Sequence, residues 1–279
     1  MQNHQMLKRL LKSCFTGDPR IERYTDNCII GDGSFSAVMS AMDNVSGVEV
    51  VLKKAKNLKE KIEIIEEYSL LRRIQHPNII RPIDFESNGL GLGFMVLPRY
   101  TRDMYDQVMR KRPSHAEMKM FVKAMASAVN HIHTMGIVHR DIKPENILIN
   151  KDYSSAVLSD FGMATHVSSN PTNLCGTLAY LPPEVQCAVD KRNFNHGLDW
   201  KKCDVFSLGV TFYTVYECSF LFYERKDDQA SVADQGYIDE ELDSLSCHDD
   251  LKDLLKRMIC VDPEQRISID DVNKHPYLF

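Results

Sequence analysis

HRDIKPEN, residues 139–146, sets an aspartate, a lysine and an asparagine within six positions of one another, behind a histidine and an arginine. Pro144 lacks a backbone donor and fixes its own φ, so the stretch is too irregular to form one helix face. An acid, a base and an amide on such a segment raise one question: which groups do chemistry, and which hold them in place. The rest of the chain must supply what the segment faces.

The 279 residues suffice for a well-buried core and lie near the size at which one core divides into two lobes. Hydrophobic residues at 43% and charged residues at 26% are ordinary globular values, which excludes a disordered or fibrous chain. The formal charge of -5 comes with no long basic stripe, so no nucleic-acid partner is expected. The eight cysteines contain no CxxC pair, which argues against a zinc site or a disulfide scaffold. A reducing compartment fits, hence an intracellular, cytoplasmic and/or nuclear location. Residues 1–23 read as a helical N-terminal extension, with Met6, Leu7, Leu10, Leu11 and Phe15 roughly on one face and Lys8, Arg9 and Lys12 elsewhere. Its apolar run is too broken for a signal peptide and too short to span a bilayer. Such a helix either packs on the domain or makes a weak membrane or partner contact.

The texture changes near residue 100. CIIGDGSFSAVMSAM, VEVVLKK, NIIRPIDF and GFMVL, between residues 28 and 97, are short runs that read as strands. LKEKIEIIEEYSLLRRI, residues 58–74, reads as a helix with Ile62, Ile65, Tyr68, Leu71 and Ile74 on one face. After Tyr100, MKMFVKAMASAVNHIHTMG, CDVFSLGVTFYTVYECSFLF and HDDLKDLLKRMI read as helices between long loops. The expected organisation is an N-lobe over 24–97, a connector over 98–103 and a C-lobe over 104–279, with a ligand site between lobes.

IGDGSFSAV at 30–38, VVLK at 50–53, EYSLLRRIQHPNII from 67, HRDIKPEN at 139, DFG at 160 and PPE at 182 stand in one order and at suitable separations. Together they resemble the signature set of eukaryotic-type protein kinases, serine/threonine class, over residues 24–279. The resemblance implies an α+β two-lobed kinase-like fold. It also implies ATP and Mg2+ as cofactors and a protein substrate, with transfer of a γ-phosphoryl group to a hydroxyl.

Ile30, Gly31, Asp32, Gly33, Ser34, Phe35, Ser36, Ala37 and Val38 would line the nucleotide, glycines letting the backbone approach phosphate. Ser36 stands where the family has a third glycine, and Val51 where it usually has alanine in the adenine roof. By resemblance Lys53 holds the α- and β-phosphates and pairs with Glu67. Leu97 takes the gatekeeper position, and adenine would meet the carbonyl of Pro98 and the N–H of Tyr100. Asp103 would partner ribose or substrate, and Leu148 is a further residue expected to bind the nucleotide.

The resemblance also answers the opening question. Asp141 would accept or orient the acceptor hydroxyl's proton, Lys143 would balance charge on the moving phosphoryl group, and Asn146 and Asp160 would ligate magnesium. His139 and Arg140 would hold the loop, and Glu184 and Arg266 would form a structural ion pair. His131, His133 and His139 are read as structural rather than as a metal cluster, and Cys175 as a packed thiol. Thr177 would contact Asp141 and Lys143. Thr172 is either an activating phosphosite paired with Arg140 or an exposed loop residue. Glu145 and Asp103 would favour a basic residue upstream of the acceptor, and Met163 would favour serine over threonine. A pseudokinase-like binding module is the alternative. GTLAYLPPE resembles Aurora kinases and GDGSFS the phosphoinositide-dependent kinase, so the subfamily stays open.

Overall fold

The computed structural model describes residues 23–32, 36–87, 92–150, 153–169, 175–190, 197–222 and 233–279. Contacts divide the chain into one unit running to Gln75 and resuming over Ile80–Arg99, and a second made of His76–Ile79 and Tyr100–Phe279. Of the expected extension over residues 1–23, residues 1–22 lie outside the described residues.

The first unit is built on β1 (Tyr24–Asp32), β2 (Ala37–Asp43), β3 (Val48–Lys54), β4 (Asp84–Glu86) and β5 (Phe94–Pro98), ordered β1-β2-β3-β5-β4 and antiparallel throughout. Side chains alternate between faces along each strand. Tyr24, Ala41, Val50, Leu52, Phe94 and Val96 form one apolar cluster, with Tyr24 edge-on to Phe94 at 5.8 Å between ring centroids. Arg23 pairs with Asp43 at 3.0 Å and comes within 3.8 Å of Asp84, tying the start of β1 to the β2–β3 turn and to β4. NIIRPIDF is mostly not a strand: Pro82 interrupts it, only its last residues enter β4, and Ile79 bridges Leu158 within the second unit.

Helix α1 (Leu58–Leu71) starts at Asn57, whose side chain accepts from the Glu60 N–H while Glu60 accepts from the Lys56 N–H at 2.6 Å. It ends three residues before the expected stop. Its buried face is Glu60, Ile64, Glu67 and Leu71, so the expected face is corrected: Ile62 is 58% exposed and Ile65 37%. The sequence carries two apolar stripes. Glu60 and Glu67, bonded to groups of this unit, turn the Ile64 stripe inward.

The second unit contains β6 (Arg102–Asp103), α2 (Met104–Arg110), α3 (His115–Thr134), β7 (Ile137–Val138), β8 (Ile147–Ile149), β9 (Val157–Leu158) and β10 (Thr165–His166). It continues through α4 (Pro183–Asp190), α5 (Trp200–Glu217), α6 (Gln235–Ser244), α7 (Asp249–Met258) and α8 (Ile269–Val272). Ser114 and Glu117 form a reciprocal cap on α3, which buries Met118, Phe121, Val122, Met125 and Val129 at helical spacing. Helix α5 is buried continuously from Cys203 to Val215. A Cβ at Gly209 would come within 2.8 Å of Ile259 and Met258, so glycine there permits close packing on the end of α7. The long helices read from the sequence are α3, α5 and α7.

Candidate active site

In the second unit, β7 leads into HRDIKPEN and β8 leads out, with Pro144–Asn146 forming a single 3-10 turn. A buried carboxylate from α5 organises the entry. Asp204 accepts the His139 and Arg140 backbone N–H groups at 2.8 Å each and bonds His133 Nε2 at 2.9 Å. Three partners on a 1%-exposed aspartate satisfy a charge that would be costly to bury alone. Arg140 adopts φ 67, a left-handed conformation that lets two successive N–H groups meet Asp204. The His139 ring, fully buried, bonds the Ser159 carbonyl at 3.0 Å and meets Phe161 edge-on.

Asp141, Lys143, Asn146 and Thr177 then converge. Asn146 Nδ2 donates to the Asp141 carbonyl at 2.8 Å and to Asp141 Oδ2 at 2.9 Å. Lys143 Nζ lies 3.0 Å from Asp141 Oδ2 and donates to Thr177 Oγ1 at 2.6 Å. Thr177 Oγ1 donates onward to Asp141 Oδ1 at 2.9 Å. Asn146 thus spends its amide nitrogen on Asp141, and its Oδ1 accepts no hydrogen bond among the described residues. Asp160 sits at φ 56, ψ 72 immediately before buried Phe161, which anchors the turn.

In the first unit, Lys53 Nζ meets Glu67 Oε2 at 2.7 Å, with side chains 12% and 3% exposed. Strand register sets Gly31 opposite Val38, Val38 opposite Lys53, and Val51 opposite Leu97. Alternation therefore gathers Val38, Val51, Lys53 and Leu97 on one face, while Ala37, opposite Lys54, falls on the other. A Cβ at Gly31 would meet Val38 at 3.5 Å, an ordinary contact, so the strand packing itself does not demand glycine there. Ile30 is 40% exposed and Ser36 is buried. Gly33, Ser34 and Phe35, and the side chain of Asp32, lie outside what is described.

Pro98 closes β5 opposite Val50. Tyr100 opens the second unit half-buried, and burial raises its hydroxyl above the ordinary tyrosine range. Asp103 pairs with Leu148 across β6 and β8 and caps α2, its Oδ1 accepting the Asp106 N–H at 2.7 Å. One oxygen of a residue read as a ligand is thus engaged structurally. Desolvation raises the Glu145 carboxyl, nearby Asp103 and Asp141 add to this, and Lys143 opposes it. Glu145 is nonetheless exposed by area, which keeps the effect small.

Glu184 and Arg266 form the expected pair, with bonds of 2.7 and 3.1 Å. Arg140 Nε donates to the Met163 carbonyl at 2.7 Å and its guanidinium lies 5.4 Å from the centre of the Trp200 ring. Thr172 lies outside the described residues. The rings of His131, His133 and His139 meet different groups, His76, Asp204 and the Ser159 carbonyl in turn, and among the described residues no group of three His, Cys, Asp or Glu could hold a metal ion. Cys175 is half-buried, and desolvation raises its thiol.

The sequence reading missed Gly176, Ser159 and the bonding role of Asp204. Gly176 has φ +111, and a Cβ there would stand 2.7 Å from the Arg140 carbonyl. Ser159 Oγ and N–H both donate to the Asn146 carbonyl at 2.8 Å. An aspartate in the apolar run of α5 was the available signal for Asp204.

The family model described as "Protein kinase domain" matches residues 24–278. The chain is 30% identical over 283 residues to serine/threonine-protein kinase DCLK2 of Mus musculus, covering 95% of this chain and 35% of that one. It is 32% identical over 271 residues to serine/threonine-protein kinase DCLK1 of Rattus norvegicus, covering 92% and 60%. It thus spans less than two thirds of these relatives. The solved structure of Rad53 1-466 in complex with AMP-PNP matches with a TM-score of 0.76 at 23% identity, over 99% of this chain and 70% of that chain, and so shows a shared fold.

Proposed function

Because the chain belongs to the protein kinase family, we propose that it transfers the γ-phosphoryl group of Mg-ATP to a serine or threonine hydroxyl of a protein. The observation that carries this reading is the joint engagement of Asp141 by Asn146, Lys143 and Thr177. Such an arrangement presents a carboxylate to an incoming hydroxyl and a cation beside it, in fixed geometry.

The donor set suits magnesium, a hard cation that prefers oxygen ligands. Asp160 would supply a carboxylate and Asn146 its Oδ1, oriented by the bonds from its amide nitrogen to Asp141. Held there, the metal would supply the positive charge that offsets the charge of the phosphates. Lys53 would hold the α- and β-phosphates, with Glu67 fixing its ammonium. Gly31 would leave room for phosphate, and Val38, Val51, Leu97 and Leu148 would line the base. Adenine would bond the Pro98 carbonyl and the Tyr100 N–H; proline lacks only the donor that this pattern does not use. Asp141 would orient the acceptor hydroxyl and take its proton as the new phosphorus–oxygen bond forms and the bond from the γ-phosphorus to the β–γ bridging oxygen breaks, releasing ADP, while Lys143 balances charge on the transferring group. Glu145 and the free edge of Asp103 would favour a basic residue upstream of the acceptor.

The Rad53 structure holds an ATP analogue and the relatives carry serine/threonine-kinase names, which supports this reading. The test is incubation with labelled ATP, magnesium and a serine- and threonine-containing peptide library, beside Asp141→Asn. Label on serine with basic residues upstream is expected. ATP binding with no label from wild type would instead make the chain a binding module.

A further inference from the structure

The 3-10 turn Leu178–Tyr180 follows directly on Thr177, whose hydroxyl joins Asp141 to Lys143. A threonine at the head of a helical turn commonly caps it by accepting a backbone N–H on its side-chain oxygen. Thr177 makes no such cap. Its hydroxyl is diverted to Asp141 and Lys143, so other groups must hold the turn.

Local backbone supplies only some of them. The Tyr180 N–H donates to the Thr177 carbonyl at 2.9 Å and the Leu181 N–H to the Leu178 carbonyl at 3.2 Å. The next two residues, Pro182 and Pro183, have no N–H to give. The Val185 and Gln186 N–H groups are both spent on the Pro182 carbonyl. The buried Leu181 carbonyl therefore takes its donor from a side chain, since leaving it unpaired is costly.

Gln186, on α4, is that donor. Its Nε2 donates to the Leu181 carbonyl at 2.8 Å and to the Leu178 carbonyl at 3.2 Å. A primary amide carries two N–H groups, one for each acceptor. From α5, Ser207 Oγ donates to the Tyr180 carbonyl at 2.8 Å. Side chains alone do not anchor the turn at both ends: Leu181 packs with Val138, Val185, Trp200 and Cys203, whereas Leu178 is 63% exposed. Gln186 is itself buried, and Glu184 two residues before it is bonded to Arg266, so the grip comes from an anchored helix.

We infer that Gln186 is a positioning residue for phosphoryl transfer. It acts through the Leu178 and Leu181 carbonyls to hold Thr177, and through Thr177 it sets Asp141 and Lys143. The bracing stands on this geometry alone, and its effect on transfer rests on the proposed kinase reading.

The test compares wild type with Gln186→Met, which keeps the length and loses both donors, with Thr177→Ala, and with the two together. Gln186→Glu, which keeps the shape and loses the donors when ionised, takes the place of the methionine variant if that one does not fold. Gln186→Met is expected to lower kcat for a peptide by roughly fivefold to tenfold and to leave KM for ATP within about twofold, as misplacing a catalytic group predicts. In the Thr177→Ala background the same substitution is expected to cost less than about twofold further, because both residues act on one arrangement. An unchanged kcat, a loss that falls on KM for ATP, or losses that multiply in the double variant would overturn the proposal.

Hydrogen exchange of the Tyr180 and Leu181 amides reports the bracing without any activity. Gln186→Met is expected to speed both by roughly tenfold and to leave the amides of α5 unchanged. Unchanged exchange at Tyr180 and Leu181, or equal acceleration throughout α5, would also overturn the proposal. If the two amides loosen but wild type transfers no phosphate, the bracing holds and the kinase reading fails.

Discussion

Thr177 donates its hydroxyl to Asp141 Oδ1 at 2.9 Å while accepting from Lys143 Nζ at 2.6 Å, although 36 residues separate it from Asp141. One hydroxyl thereby sets the positions of both groups read as handling the proton and the charge. Thr177→Ala should lower kcat by about 10- to 100-fold, since misplacing a catalytic group by about an ångström costs that much. ATP affinity should change little, and Thr177→Ser should restore most of the rate. Steady-state kinetics on the three proteins, with calorimetric ATP binding, checks this. A serine variant as slow as alanine would remove the hydroxyl from the account.

Arg266 is buried completely and spends its guanidinium on Glu184, on the Cys260, Lys202 and Val261 carbonyls, and on the Phe206 ring, 4.9 Å from its centre. Removing it leaves Glu184 without its cation and three carbonyls without this donor. Arg266→Ala should destabilise the second unit by about 3–5 kcal/mol, the usual penalty for breaking a buried pair from one side. Urea unfolding followed by the fluorescence of Trp200, the single tryptophan, reports this. A loss under 1 kcal/mol would mean that the pair is solvated.

Glu145 titrates in the direction opposite to a salt-bridged carboxylate. Desolvation and its acidic neighbours raise its folded-state pKa, so the folded chain holds this proton more tightly than the unfolded chain. Its contribution to stability is full below the ordinary carboxylate pKa and is lost as pH rises through the raised value. Glu145→Gln should therefore be neutral to stability in acid and modestly stabilising at neutral pH. The same substitution should raise KM for a peptide with an upstream arginine and leave a neutral peptide unaffected. Thermal melts across pH 4 to 8 and paired peptide kinetics separate the two effects.

Much of the site was legible because its residues lie close together in sequence. HRDIKPEN supplies Asp141, Lys143 and Asn146 from one loop, and Lys53 and Glu67 sit on neighbouring elements of the first unit. Asp204, Gly176 and Ser159 were not legible in their roles, because each acts through backbone groups that only the fold brings near: Asp204 through two N–H groups 64 and 65 residues away. The face of α1 was misread for a different reason. Its sequence is apolar on two sides, and periodicity cannot tell which stripe turns inward when the buried one includes glutamates bonded to Lys53 and to the helix start. NIIRPIDF misled through composition: its β-branched residues suggest a strand, whereas Pro82 confines pairing to the end.

The central claim separates two aspartates: Asp141 serves the hydroxyl and Asp160 the metal. The most direct measurement is ATP affinity at varied magnesium, beside transfer rate, for Asp141→Asn and Asp160→Asn. Asp141→Asn is expected to lose transfer by roughly 10²-fold or more while binding Mg-ATP within a few-fold of wild type. Asp160→Asn is expected to lose transfer and to need more magnesium for the same affinity. Equal ATP affinity and equal magnesium dependence in the two variants would contradict the assignment.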